Sequence, residues 1–140
     1  MTEKECALVG LSVAVNNNNQ VLTNFFEARA LANEASAEEI AEAVGCASLL
    51  ALNNVFYRFR HFVNKEFYTT ARIRMQLISS PVTGKEFFEL MSLAISAVNG
   101  CEMCVNAHES SILQLGATEE RVFDAIRIAS IVTATGKVIY

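Results

Sequence analysis

Leu93-Ala94-Ile95-Ser96-Ala97-Val98-Asn99-Gly100-Cys101-Glu102-Met103-Cys104-Val105-Asn106-Ala107-His108 reads as the end of one helix, a break, and the start of another. Leu93 to Val98 are apolar or small. The pair Asn99-Gly100 is a stop signal, because both residue types tolerate the left-handed conformation that ends helices. Beyond the break, residues three and four apart stack on one face of a helix. Cys101, Cys104 and His108 therefore line a single stripe.

Other punctuation of the same kind divides the chain. Ser36-Ala37-Glu38-Glu39 and Thr83-Gly84-Lys85-Glu86 both read as capping boxes, in which a hydroxyl and a later carboxylate satisfy orphan amides reciprocally. Thr118 followed by Glu119 and Glu120 is a cap with acids in the first turn, where the helix dipole favours them. Pro81 and Gly116 are further stops. These signals predict helices over Lys4–Val15, Gln20–Leu31, Ala37–Val63, Thr70–Ser79, Lys85–Val98, Cys101–Leu115 and Glu119–Val138. No segment alternates with period two, so the expected fold class is all-α.

The chain also repeats itself. A gapless shift that lays Leu11 on Leu93 also lays Asn17 on Asn99, Asn24 on Asn106, Glu27 on Glu109 and Leu31 on Leu113. Ala35 then meets Ala117, Glu38 meets Glu120, and the cap Ser36 meets the cap Thr118. Both copies, residues 11–51 and 93–133, read as helix, turn, helix, cap, helix. The places of Cys101, Cys104 and His108 are held in the first copy by Asn19, Leu22 and Phe26. The sulfur and imidazole set thus belongs to one copy only, as an added function would.

A length of 140 residues fits one domain over residues 1–140, and a 52% hydrophobic chain with six glycines, one proline and no tryptophan favours helices. That apolar share is high for a small domain, which leads to the expectation of a homo-oligomer that buries part of it between subunits. The net charge of -4 argues against nucleic-acid binding. Arg58, Arg60, His61 and Lys65, set among Phe56, Tyr57, Phe59 and Phe62, read as a half-buried helix end with His61 in solvent. The apolar run Ala7 to Val15 is too short to span a bilayer, and Glu3, Lys4 and Glu5 ahead of it are net acidic where a secretory leader is basic. The expectation is a cytoplasmic protein with no membrane association. In that compartment a Cys-x-x-Cys pair is catalytic or metal-binding rather than a structural staple.

Cys101 follows the break, at a helix N-terminus where free amides lower a thiol pKa. His108 is spaced to take the proton of Cys104. A helical i, i+3 pair of thiols can cycle between dithiol and disulfide. Glu89 is an acid in the middle of an apolar helix, joined to the cysteine helix through the tight turn, and is the candidate carboxylate for orienting His108. Glu102 and Glu109 flank the stripe and turn away from it. Cys46, Met75 and Met91 read as core filler.

The pattern Glu89, Cys101-x-x-Cys104, His108 resembles the signature of the AhpD-like branch of the carboxymuconolactone decarboxylase family. Asn53-Asn54-Val55-Phe56-Tyr57-Arg58, Arg72-Ile73-Arg74-Met75 and Phe88-Glu89-Leu90 extend the likeness, which runs from about Leu11 to Thr135. What the resemblance implies is an all-helical, oligomeric, thiol-dependent peroxidase. Cys104 would attack the hydroperoxide, Cys101 would resolve the product as a disulfide, and Glu89 with His108 would form the proton relay. No bound cofactor or metal is implied. The reductant would be dihydrolipoamide carried on an acyltransferase. The family's peroxidases have a histidine where this chain has Met103, which leaves weakened turnover or a different oxidant open. Longer members add helices ahead of the segment that matches Leu11, so trimer and hexamer both stay open.

Three other readings compete. Cys101, Cys104, His108 and Glu89 could ligate zinc, although structural zinc sites usually draw on two ligand pairs and no second pair exists. A lactone decarboxylase of the wider family would not depend on the cysteines. A helical interaction protein would carry them as redox-sensitive passengers.

Overall fold

Every residue of the first helix from Ala7 to Ala14 is buried, on all sides of the helix. A helix apolar all round must lie inside a ring of others. The computed structural model, which describes residues 1–74 and 78–140, provides that ring. Its helices are α1 (Glu3–Asn16), α2 (Gln20–Ala32), α3 (Ala37–Val63), α4 (Lys85–Val98), α5 (Glu102–Gln114) and α6 (Glu119–Thr135), with one 3-10 turn at Glu66–Tyr68. Among the described residues all regular structure is helical, in agreement with the expected all-α class.

The core is built on two inner helices. α1 packs on α2, α3, α4 and α6, while α4 packs on α1, α3, α5 and α6. Leu8, Leu11, Leu90, Met91, Leu93 and Ile95 fill the space between them. The run Ala7 to Val15 is thus core helix. Among the described residues, α3 alone has the length and hydropathy of a membrane span. It nevertheless packs on α1, α4 and α5, and carries the buried polar residues Glu42 and Asn54 on its inner face.

Where a cap is local, the expected helix ends hold. Ser36 opens α3 with a full capping box to Glu39, and Thr118 Oγ1 accepts from Arg121 N. A further box, Thr2 with Glu5, opens α1. The expected box at Thr83 does not form. Gly84 takes the cap position of α4 without a side-chain bond. Thr83 instead gives its amide and its hydroxyl to Glu42, and the Glu86 carboxylate accepts from Arg121. A buried carboxylate needs those donors more than an exposed helix end does.

The expected helix over Thr70–Ser79 is also absent from its described part. Thr70 to Arg74 is irregular, with Arg72 left-handed at φ 57°, and Ser79 and Ser80 form a bend ahead of Pro81. Proline bars the helical conformation from the residue before it, which favours a loop there. Met75, read as core filler, lies outside the described residues. Met91 is fully buried, as expected.

Candidate active site

The α4–α5 turn presents the cysteines. Asn99 caps α4, Gly100 turns at φ 69°, and Cys101 enters the N-cap position of α5. There its sulfur accepts the Cys104 amide at 3.3 Å, in the place usually taken by a hydroxyl or carboxamide oxygen. Cys101 and Cys104 are joined as a disulfide, with Cα atoms 5.3 Å apart. Cys101 is 0% exposed and Cys104 6% exposed, so both residues are buried and Cys104 is slightly the more accessible.

One turn beyond Cys104, His108 reaches across to α4, where its Nδ1 lies 2.6 Å from Glu89 Oε2. Both side chains are three-quarters shielded from solvent. A carboxylate acceptor at Nδ1 holds the hydrogen of the neutral ring on that nitrogen and leaves the Nε2 lone pair available. The structure therefore brings Glu89 of α4 to His108 of α5 across the helical hairpin, and Cys101 to Cys104 within the first turn of α5.

Glu89 and His108 form part of the wall of a cleft of about 670 Å³. Leu49, Leu50, Ile78 and Phe88 make its apolar surface, and Asn53 and Tyr57 from α3 add polar groups. Asn53 and Tyr57 stand on the α3 side of that wall. Behind the cleft, Cys46 is fully buried and lies 3.6 Å from the Ser92 hydroxyl, with its thiol pushed up to about 12 by burial. At such a value it stays protonated, which matches its reading as a small core residue. Met103 is 36% exposed, on the outer side of the cysteine helix. Among the described residues, no three His, Cys, Asp or Glu side chains converge as metal ligands.

Two residues that frame the site, Glu42 and Arg58, were not singled out for it from sequence. Glu42 accepts from Val82 N, Thr83 N and Thr83 Oγ1, which ties α3 to the approach to α4. The one sequence signal for it is an acid one turn ahead of Cys46 on the apolar stripe of α3. Asn54 and Arg58 of α3 both bind Asn99, at the turn itself. His61 is half-exposed, as expected, and lies 3.8 Å from Glu102.

The chain is similar in sequence to known proteins. A model of the carboxymuconolactone decarboxylase family matches residues 67–140. The chain is 42% identical over 128 residues to the alkyl hydroperoxide reductase AhpD of Anaeromyxobacter dehalogenans strain 2CP-C, an alignment covering 90% of this chain and 67% of that relative. It is 46% identical over 110 residues to the protein of the same name from Anaeromyxobacter sp. strain Fw109-5, covering 77% of this chain and 58% of the relative. With AhpD of Streptomyces griseus subsp. griseus the identity is 38% over 128 residues, covering 90% and 72% respectively. The chain thus spans roughly 58% to 72% of the length of these relatives. By the family model and these identities, the chain belongs to the carboxymuconolactone decarboxylase family, in its AhpD-like branch.

Proposed function

We propose that this chain is a thiol-dependent peroxidase that reduces organic hydroperoxides through Cys101 and Cys104. The observation that carries the reading is the Glu89–His108 pair, at 2.6 Å, one helical turn from a closed Cys101–Cys104 disulfide. Relatives named alkyl hydroperoxide reductase support it.

In the reduced enzyme His108 Nε2 takes the Cys104 proton, and Glu89 steadies the imidazolium that results. The Cys104 thiolate attacks the outer oxygen of the hydroperoxide. An S–O bond forms, the O–O bond breaks, and the alkoxide leaves as an alcohol with the proton that His108 returns. Cys101 then attacks the Cys104 sulfenic acid. The disulfide forms, water leaves, and the sulfur is kept from over-oxidation. Two electrons and two protons from an external dithiol restore both thiols. Greater exposure of Cys104 than of Cys101 favours this division of roles. Dihydrolipoamide carried on a lipoylated acyltransferase is the dithiol proposed, with no cofactor bound in the chain and the reaction cytoplasmic.

The proposal extends to architecture. The chain is one domain, 1–140, with a degenerate repeat at 11–51 and a catalytic repeat at 93–133. Packing supports this: α1 meets α2, α3 and α6 as α4 meets α5, α6 and α3. Exposed Phe25, Phe62, Phe67 and Ile131 suit burial in a homotrimer or homohexamer.

The test is peroxide consumption with a dihydrolipoamide regenerating system. Cys104→Ser is expected to abolish turnover, and Cys101→Ser to permit a single turnover. Full activity in Cys104→Ser would overturn the assignment. Met103→His is expected to raise the rate if that position limits it.

A further inference from the structure

Asn54, Arg58 and His61 are spaced i, i+4 and i+7 on α3, so they share one helical face. All three reach the turn that carries Cys101. Asn54 is 1% exposed; its Nδ2 donates to Ser96 Oγ at 2.9 Å, and its Oδ1 accepts from Asn99 Nδ2 at 3.0 Å. Arg58 Nη1 donates to the Asn99 carbonyl at 2.5 Å. His61 lies 3.8 Å from Glu102, the first residue of α5. From the opposite side, Asn16 of α1 exchanges two hydrogen bonds with the Asn99 side chain, at 2.9 Å and 3.1 Å.

The Asn99 carbonyl belongs to the last turn of α4, where carbonyls lack helical partners and the dipole end is negative. A guanidinium is the strongest side-chain donor for such a group. Only Gly100 separates Asn99 from Cys101. Gly100 is left-handed at φ 69° and lacks the side chain that would otherwise help to fix it, so the turn depends on its flanks. With Asn99 held through its carboxamide and its carbonyl, the path into Cys101 has little freedom left.

We infer that Arg58 is a positioning residue for the Cys101–Cys104 couple, gripping the α4–α5 turn so that the two thiols stay within closing distance after reduction. The inference rests on the redox reading given above. Its consequence is thermodynamic. Closing the disulfide takes two electrons and two protons from the thiols, and the closed form is favoured according to how near the open thiols are already held. Release of the turn lets the thiols part and favours the dithiol.

The experiment is equilibration of the whole protein in mixtures of glutathione and glutathione disulfide, which becomes two glutathione thiols as the protein couple closes. Trapped thiols are then counted. Arg58→Met, which keeps the aliphatic stem and removes every donor, is expected to shift the equilibrium about tenfold toward the dithiol, about 30 mV to more positive potential. Arg58→Lys, which keeps a cationic donor, should recover most of that shift, and Lys65→Gln, an exposed charge loss off the stripe, should leave the wild-type value. If Arg58→Met does not fold, Arg58→Gln, whose amide falls short of the carbonyl, carries the same expectation. A wild-type potential in the folded Met or Gln variant would overturn the inference. So would an Arg58→Lys potential displaced as far as that of Arg58→Met, or an equal shift in Lys65→Gln. Wild-type protein that forms no equilibrating disulfide would instead sink the redox reading itself.

Discussion

At the α1–α2 junction Asn17 caps the first helix, Asn18 turns at φ 54°, and Asn19 Oδ1 accepts the Leu22 amide at 2.9 Å. At the α4–α5 junction Asn99, Gly100 and Cys101 take the same three places, and the Cys101 sulfur accepts the Cys104 amide at 3.3 Å. The backbone plan is shared and the chemistry is not. Sulfur is a weaker acceptor than a carboxamide oxygen, so Cys101 is the poorer helix cap of the two. One turn beyond each second residue the contrast returns: Phe26 lays its ring against Gly10, whereas His108 pairs with Glu89. The first hairpin shows what folding asks of this scaffold. The second departs from it at the positions that the proposed thiol redox cycle uses.

The largest effect should come from erasing that departure. His108→Phe installs the residue of the sister position and leaves Glu89 without its partner. Turnover of hydroperoxide is expected to fall about 10²–10⁴-fold, the usual worth of a general base. Circular dichroism should keep its helical signal, because His108 lines an open cleft rather than the close-packed core. A variant that retains wild-type turnover would remove His108 from the mechanism and blur the distinction between the two hairpins.

The sequence made this contrast readable because both hairpins are punctuated locally. Asn-Gly breaks, Ser36 with Glu39, and Thr118 act on residues within one turn, so their effect survives without knowledge of the rest of the fold. That is why α3 starts at Ala37 and α6 at Glu119 as expected. The Thr83 box failed because Glu42 and Arg121, distant in sequence, claim its two members. Thr70 to Arg74 has no such punctuation, and nothing local sets its path. The site divides in the same way. Cys101, Cys104 and His108 follow from helical spacing alone. Glu89 could be nominated because an acid in an apolar helix is conspicuous. Arg58 could not, since an arginine at a half-buried helix end does not reveal its partner until α3 is laid along the α4–α5 turn.

A smaller effect is expected on the silent side of the comparison. An alanine at position 10 would place its methyl 2.4 Å from the Phe26 ring, closer than atoms can approach, so the ring must shift. Gly10→Ala alone is expected to destabilise the protein by about 1–2 kcal/mol in urea unfolding, a typical cost of overpacking. In a Phe26→Ala background the clash is gone, and the same substitution should stabilise by about 0.5–1 kcal/mol through helix propensity. That reversal of sign identifies the contact. Destabilisation of equal size in both backgrounds would mean that Gly10 serves something other than the ring, and that the first hairpin is not packed by Phe26.

The smallest effect lies where the two halves are tied together at their helix starts. Arg121 of α6 binds Glu5 at the start of α1 and Glu86 at the start of α4, with each pair about a quarter exposed. The Arg121 guanidinium holds the Glu5 carboxyl below its ordinary value of 4.5. Glu39 is likewise held below 4.5, by the Ser36 amide and then by Lys4. A carboxyl whose pKa is lower folded than unfolded stabilises the fold above the unfolded value, and that contribution is lost as pH falls through the folded one. The protein is therefore expected to keep its stability from neutral pH down to about pH 5 and to lose it progressively below. Arg121→Met should cost about 1 kcal/mol or less at pH 7, as half-screened ion pairs do. It should cost less still at pH 3, because the contribution of the pair fades as the pH falls below the ordinary carboxyl value. Melting temperatures of the two proteins across that range decide the matter. Curves that stay parallel from pH 7 to pH 3 would mean that Arg121 contributes through packing of its stem rather than by bridging the two helix starts through charge.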